Sequence, residues 1–156
     1  MFNFIRKISR KKIDKHFNGR LISTLHKDHE ALAKLFNLLE KAVKDSSNDT
    51  LKKLSDFLDE LNLHLLLENS KLYTYLEFRY KYCDLKKLKK IKEEISKNLY
   101  LFDKLKTAIK ENRHNEALLL IEKIKHFLLR RIQYEEEKLY DVYTNLYKCS
   151  QLRGIL

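Results

Sequence analysis

Two stretches of this chain, 67 residues apart, share one pattern of side chains capable of chemistry. In the first, His64 is followed four positions on by Glu68, and then by Leu72-Tyr73. In the second, Arg131 is followed by Glu135, and then by Leu139-Tyr140. Side chains four apart stack on one face of a helix, so each stretch aims a nitrogen-bearing group and a carboxylate in one direction. The leucines around them mark that direction as inward. Polar groups on a buried stripe cost free energy unless they bind something or one another. The chemistry open to them is therefore ligation of a bound group or a self-compensating ionic network.

The elements that must position these residues are helices. In 156 residues there is no Pro or Trp, and Gly occurs only at Gly19 and Gly154. Strands would need frequent turn residues, so the composition points to an all-α chain, long enough to bury one core. Helix one is expected from Leu21 to Lys44, with a stripe of Leu25, Leu32, Phe36 and Leu39 whose missing place is filled by His29. The loop that follows supplies, at Asp49-Thr50, an N-cap for helix two. Helix two is expected from Leu51 to Tyr80, with Leu54, Phe57, Leu61, His64, Glu68 and Leu72 on its stripe. Helix three, Leu85 to Lys110, carries Ile91, Leu101, Leu105 and Ile109, with Asn98 in the gap. Helix four starts near Asn115 and uses Ile121, Ile124, Leu128, Arg131, Glu135, Val142 and Leu146. Four long helices with short connections predict an up-down-up-down bundle. Each stripe is broken near its middle, so the breaks meet at similar depth as one polar cluster.

At this point the chain resembles the hemerythrin-like (HHE cation-binding) family. The residues that carry the resemblance are Leu25-His26-Lys27-Asp28-His29-Glu30-Ala31-Leu32, His64-x3-Glu68-x3-Leu72-Tyr73 and Glu135-Glu136-x2-Leu139-Tyr140, within about residues 21–146. The resemblance implies a four-helix bundle around a non-haem di-iron centre. Its ligands would be histidines from all four helices and carboxylates from two. The activities it implies are oxygen binding, oxygen or nitric oxide sensing, and iron handling. Carried over by position, His29, His64, Glu68 and Glu135 are the retained metal ligands. Asn98 and Arg131 stand where the family places histidines, and an Arg guanidinium cannot ligate. Four ligands imply one non-haem iron or other divalent metal, or none, with Arg131 bridging Glu68 and Glu135 in its place. The expected function is a sensor or regulatory module rather than an oxygen carrier.

A second resemblance is to the regulator-of-sigma-D family, on Arg131-x3-Glu135-Glu136 and Thr107-Ala108-Ile109. It implies a metal-free protein that sequesters a transcription (sigma) factor.

Among the other polar residues, His26 is expected to bond to water, His126 to point away from the cluster, and His16 and His114 to be solvated. Tyr73, Tyr140 and Tyr143 are expected at the boundary with wet hydroxyls. No P-loop, Ser/His/Asp or Cys/His arrangement is present, so the expectation is a non-enzyme with no small-molecule substrate.

The net charge of +11 is concentrated at the start, where residues 1–20 hold seven Lys and Arg against Asp14 alone. Phe2, Phe4, Ile5, Ile8 and Ile13 lie among those cations, and Asn18-Gly19 signals a turn after them. The organisation expected is a basic amphipathic arm (1–19), a bundle (20–148) and a tail (149–156). The arm suits an anionic surface, membrane or nucleic acid, or packs across the bundle end with its lysines in water. The cluster Lys86, Lys87, Lys89, Lys90 and Lys92 reads as an exposed helix start. Cys83 and Cys149 lack disulfide or metal spacing, no apolar run reaches a membrane span of roughly 18 residues, and no secretory signal is visible. A cytoplasmic location is the expectation, with an unidentified protein partner.

Overall fold

Asn18 and Gly19 turn the chain into its first helix, with the Leu21 amide donating to the Asn18 carbonyl at 3.0 Å. The computed structural model describes residues 17–79 and 85–145, with side chains over 17–78 and 92–145. The arm up to and including His16, Tyr80, Cys83, Cys149, Leu146 and the tail lie outside the described residues. So do the side chains of Ile91, Lys86, Lys87, Lys89 and Lys90.

Helix α1 is Leu21–Lys44, the span its apolar stripe predicts. Helix α2, Thr50–Leu67, runs on without a break through a π-helical segment, π1 (Glu68–Tyr73), into α3 (Thr74–Arg79). Helices α4 (Leu85–Asn98) and α5 (Tyr100–Lys110) make up the third segment, interrupted at Leu99. Helix α6 is His114–Tyr134, followed by a second π-helical segment, π2 (Glu135–Leu139), and a last helical stretch, 140–145. Among the described residues there is no strand, and no helix is long and apolar enough to cross a membrane.

The segments pack as a ring in which α1 lies against α2 and α6, and α5 against α2 and α6. That is the expected four-helix bundle. The turns are tight. Ser46 and Asn112 take left-handed backbone conformations, and the Thr50 hydroxyl donates to the carbonyls of Ala42 and Ser47. The expected side-chain cap on α2 is not formed. Asp49 occupies the N-cap position, but its carboxylate accepts from Ser47 and Lys53 instead.

The apolar core is divided in two. One cluster contains Leu32, Phe36, Phe57, Leu61, Leu105 and Ile124, and the other Leu21, Leu25, Leu72, Leu76, Leu139 and Tyr143. Along α1 the boundary falls at His29, along the second segment at His64 and Glu68, and along the fourth at Arg131 and Glu135. A polar layer therefore crosses the bundle between two apolar ones. The second cluster is closed by Tyr143, whose hydroxyl accepts from the Asn18 amide at 2.9 Å and ties the start of the first helix to the end of the last.

Candidate functional site

Both carboxylates of the polar layer begin a π-helical segment. Glu68 opens π1 and Glu135 opens π2. Widening a helix by one residue per turn costs regular hydrogen bonding, and such turns cluster at functional sites. Here the wide turn brings two adjacent residues inward, Leu72 with Tyr73 and Leu139 with Tyr140, and all four are buried.

His29, His64, Glu68 and Glu135 are all buried, and the structure brings them together as expected. Arg131 links the carboxylates. Its Nη2 donates to Oε2 of Glu68 at 2.8 Å, and its Nε lies 2.6 Å from Oε1 of Glu135. The same Nη2 reaches the Tyr73 hydroxyl at 3.3 Å. His29 stands between two carboxylates, with Nε2 3.2 Å from Oε2 of Glu135 and Nδ1 2.8 Å from Oε1 of Glu136. The Tyr140 hydroxyl is 3.3 Å from the His29 Nε2. The His64 ring centroid lies 4.8 Å from that of His29, its Nε2 3.8 Å from Glu68 and its Nδ1 3.6 Å from Asp28.

The electrostatics follow from burial and from the shortage of cations. Burial and the neighbouring Glu135 push Glu68 up to about 7, and the Arg131 guanidinium beside it only partly offsets them. Burial, with the charges of His29 and Arg131, brings His64 down to about 3, so its ring is neutral and keeps a lone pair. Burial also opposes charge on His29, but its contacts with Glu135 and Glu136 hold its pKa above the ordinary value. Burial foremost raises the hydroxyls of Tyr73 and Tyr140.

This donor set fits one cation. His29, His64 and Glu135 offer ligand atoms that all lie within 4.8 Å of one another. Oε1 of Glu135 is taken by Arg131 and its Oε2 faces the His29 ring, while Oε1 of Glu68 is buried without a hydrogen bond. Two imidazoles and a carboxylate are the donor type of non-haem iron(II). A second cation would need the carboxylate oxygens that Arg131 already holds, so two ions do not fit. A cavity of about 100 Å³ adjoins the cluster, bounded by His29, His64, Arg131 and Glu135 and by the apolar Phe36 and Phe57.

Asn98 is not part of the layer. It ends α4 at the interruption of the third segment, and its side-chain amide donates back to the Glu94 carbonyl at 2.8 Å. Ile95, Leu101 and Phe102 occupy the buried face of that segment instead. The tyrosines correct a second expectation, since Tyr73, Tyr140 and Tyr143 are buried rather than wet at the boundary. Their hydroxyls find partners inside, which is what offsets the cost of burying them. The signal was present in the Leu-Tyr pair repeated after both glutamates. His26 bonds to Glu136 at 3.1 Å, where a water partner was expected. His126 is exposed, and His114 pairs with Ser46. Glu136 and Asp28, each beside a buried histidine, were named from the sequence only as motif positions, with no role at the site. Glu40 was not singled out; it is buried on α1, where Lys125 of α6 reaches both its oxygens at 3.0 Å.

Residues 20–143 match the family model described as the hemerythrin HHE cation binding domain. No curated protein and no solved structure matches the chain.

Proposed function

The chain belongs to the hemerythrin HHE cation-binding family, and from that premise we propose that it holds a single divalent cation, iron by preference, and acts as a sensor or regulatory module. The observation that carries this reading is the convergence of His29, His64 and Glu135 beside a guanidinium that fills the rest of the layer. When bound, the cation supplies a Lewis-acid and redox-active centre. His64, kept neutral, offers its lone pair, and Glu135 offers the oxygen not engaged by Arg131. Glu68 has one buried oxygen free of hydrogen bonds. Arg131 keeps the net charge low enough for the carboxylates to remain buried together.

A regulatory role is supported by where the layer lies. It joins two apolar clusters that otherwise pack separately, so filling it tightens the contact between α1, α2 and α6. Ligand binding to the folded state alone adds stability by mass action, about 2.7 kcal/mol at a hundredfold excess over Kd.

Arg131 also supports a second reading, a cation-free interaction protein in which the ionic network alone holds the layer together. Elemental analysis of protein made in iron-supplemented cells separates the two. The cation reading expects about one metal per chain and a metal-dependent rise in melting temperature that His64→Ala reduces. A metal-free sample with no such rise overturns it in favour of the network.

A further inference from the structure

His29 takes part in two groupings. Its Nε2 edge faces Glu135 inside the bundle, and its Nδ1 edge faces Glu136 towards the surface. His26, one turn before it on α1, directs its own Nδ1 at the same Glu136 oxygen, at 3.1 Å. The geometry points to an outer cation position formed by His26, Glu136 and the Nδ1 edge of His29, which takes a first-row divalent cation from solution and passes it inward through the His29 ring. The passing step rests on the inner position proposed above; the outer position does not.

The donors already converge. The ligand atoms of His26, His29 and Glu136 lie within 4.8 Å of one another, and two of the separations are 2.8 and 3.1 Å. Tetrahedral ligands at zinc–nitrogen distances of about 2.1 Å stand about 3.4 Å apart, so these two pairs need to open by only a few tenths of an ångström, while the two histidine nitrogens, at most 4.8 Å apart, close by no more than about 1.4 Å. The outer group is also accessible. The side chains of His26 and Glu136 are 46% and 35% exposed, whereas Glu135 is fully enclosed. An inner position closed on this scale needs a donor at the surface to begin desolvating an incoming ion, and His26 is placed to do so.

Sharing one ring makes the two positions exclusive. A neutral imidazole carries one proton and one ligating lone pair. With the cation inside, Nε2 ligates and the Nδ1–H donates to Glu136, the carboxylate support usual for a ligating histidine. With the cation outside, Nδ1 ligates and the Nε2–H donates to Glu135. Each edge already has its acceptor. Transfer moves the ion from one nitrogen to the other and the ring proton in the opposite sense, so no charge is gained or lost. At equilibrium the chain then holds one cation, and His26 governs how fast it arrives.

Zinc(II) serves as the probe, with uptake followed by stopped-flow competition against a chromophoric chelator and histidine ring signals followed by NMR. The wild-type chain is expected to take up one zinc per chain. His26→Ala is expected to reach the same final content at least tenfold more slowly. In His64→Ala, which lacks an inner ligand, zinc is expected still to shift the His26 ring signals. Equal uptake rates in wild type and His26→Ala overturn the passing step. No zinc-dependent change at His26 in His64→Ala overturns the outer position and leaves an exposed His–Glu pair only. A wild-type chain in which zinc moves the His26 signals but not those of His64 upholds the outer position, and places the failure in the inner one.

Discussion

Nε of Arg131 lies 2.6 Å from Oε1 of Glu135, one turn further along the same helix, while the same guanidinium spans to Glu68 on a facing helix at 2.8 Å. A permanent cation is thus built into the layer where a second metal ion would require the same oxygens. Truncating it leaves two buried carboxylates facing each other. Arg131→Met is expected to lower the free energy of unfolding by ~3–5 kcal/mol, the usual cost of stranding a buried charge. Urea denaturation checks this, and adding Glu68→Gln to the same chain is expected to recover part of the loss. A loss under ~1 kcal/mol would mean that the network contributes little.

Restoring an imidazole at that position tests what the layer can hold. Arg131→His frees one oxygen on each of Glu68 and Glu135 and supplies a lone pair in place of a guanidinium. The variant is expected to bind more than one iron per chain by elemental analysis, against about one for the parent. No increase would show that the space around Arg131 is closed to a second ion for reasons beyond its charge.

The pH dependence of stability contains two opposed contributions. Glu68 titrates at about 7 when folded against 4.5 ordinarily, so the folded chain keeps a proton that the unfolded chain releases. Its contribution is complete below pH 4.5 and is lost as pH rises towards 7, by ~3 kcal/mol. His29, also held above its ordinary value, adds to the loss on the alkaline side. His64 titrates at about 3 when folded against 6.5 ordinarily, so its contribution is complete above pH 6.5. It is lost as pH falls towards 3, by ~4–5 kcal/mol. Between pH 4.5 and 6.5 the slopes of Glu68 and His64 oppose each other, and single substitutions should unmask them. In Glu68→Gln, stability is expected to fall more steeply on acidification through that window than in the parent. In His64→Gln it is expected to rise instead. Denaturation series at several pH values decide the matter, and parallel curves for all three chains would contradict the assignment.

The helices were legible because their apolar periodicity is uninterrupted by Pro or internal Gly, and α1 and α6 begin within a residue of where the pattern places them. The convergence of His29, His64, Glu68 and Glu135 was legible for the same reason, since a polar residue in an apolar stripe must go where the stripe goes. Asn98 was misplaced because the third segment breaks at Leu99, and a break in phase is invisible to a count that assumes one continuous helix. The burial of Tyr73 and Tyr140 depends on π-helical turns, which shift every later residue by one position. A period of 3.6 carried straight through Glu68 or Glu135 cannot find them. Glu136 and Asp28 were named only as motif positions and given no role, because each lies beside, rather than on, the stripe.

The end of the bundle offers a test that is independent of any cation. The Tyr143 hydroxyl accepts from the Asn18 amide at 2.9 Å and lies 3.3 Å from the Asn18 carbonyl, to which it donates. That carbonyl also receives the Leu21 amide, the first bond of α1. Phe17 stacks on the Tyr143 ring with centroids 5.1 Å apart, so the ring itself is held by packing and Tyr143→Phe changes only the hydrogen bonds. Removing the hydroxyl strands one partly buried amide, a loss of ~1–3 kcal/mol. Because the affected groups sit at a helix start, the damage should be local. Hydrogen exchange is expected to speed up at Asn18 and Leu21 and to stay unchanged at Leu39 or Ile121, deep in the other apolar cluster. Faster exchange throughout would mean instead that this tyrosine supports the whole bundle, and the division of the core into separately packed clusters would have to be given up.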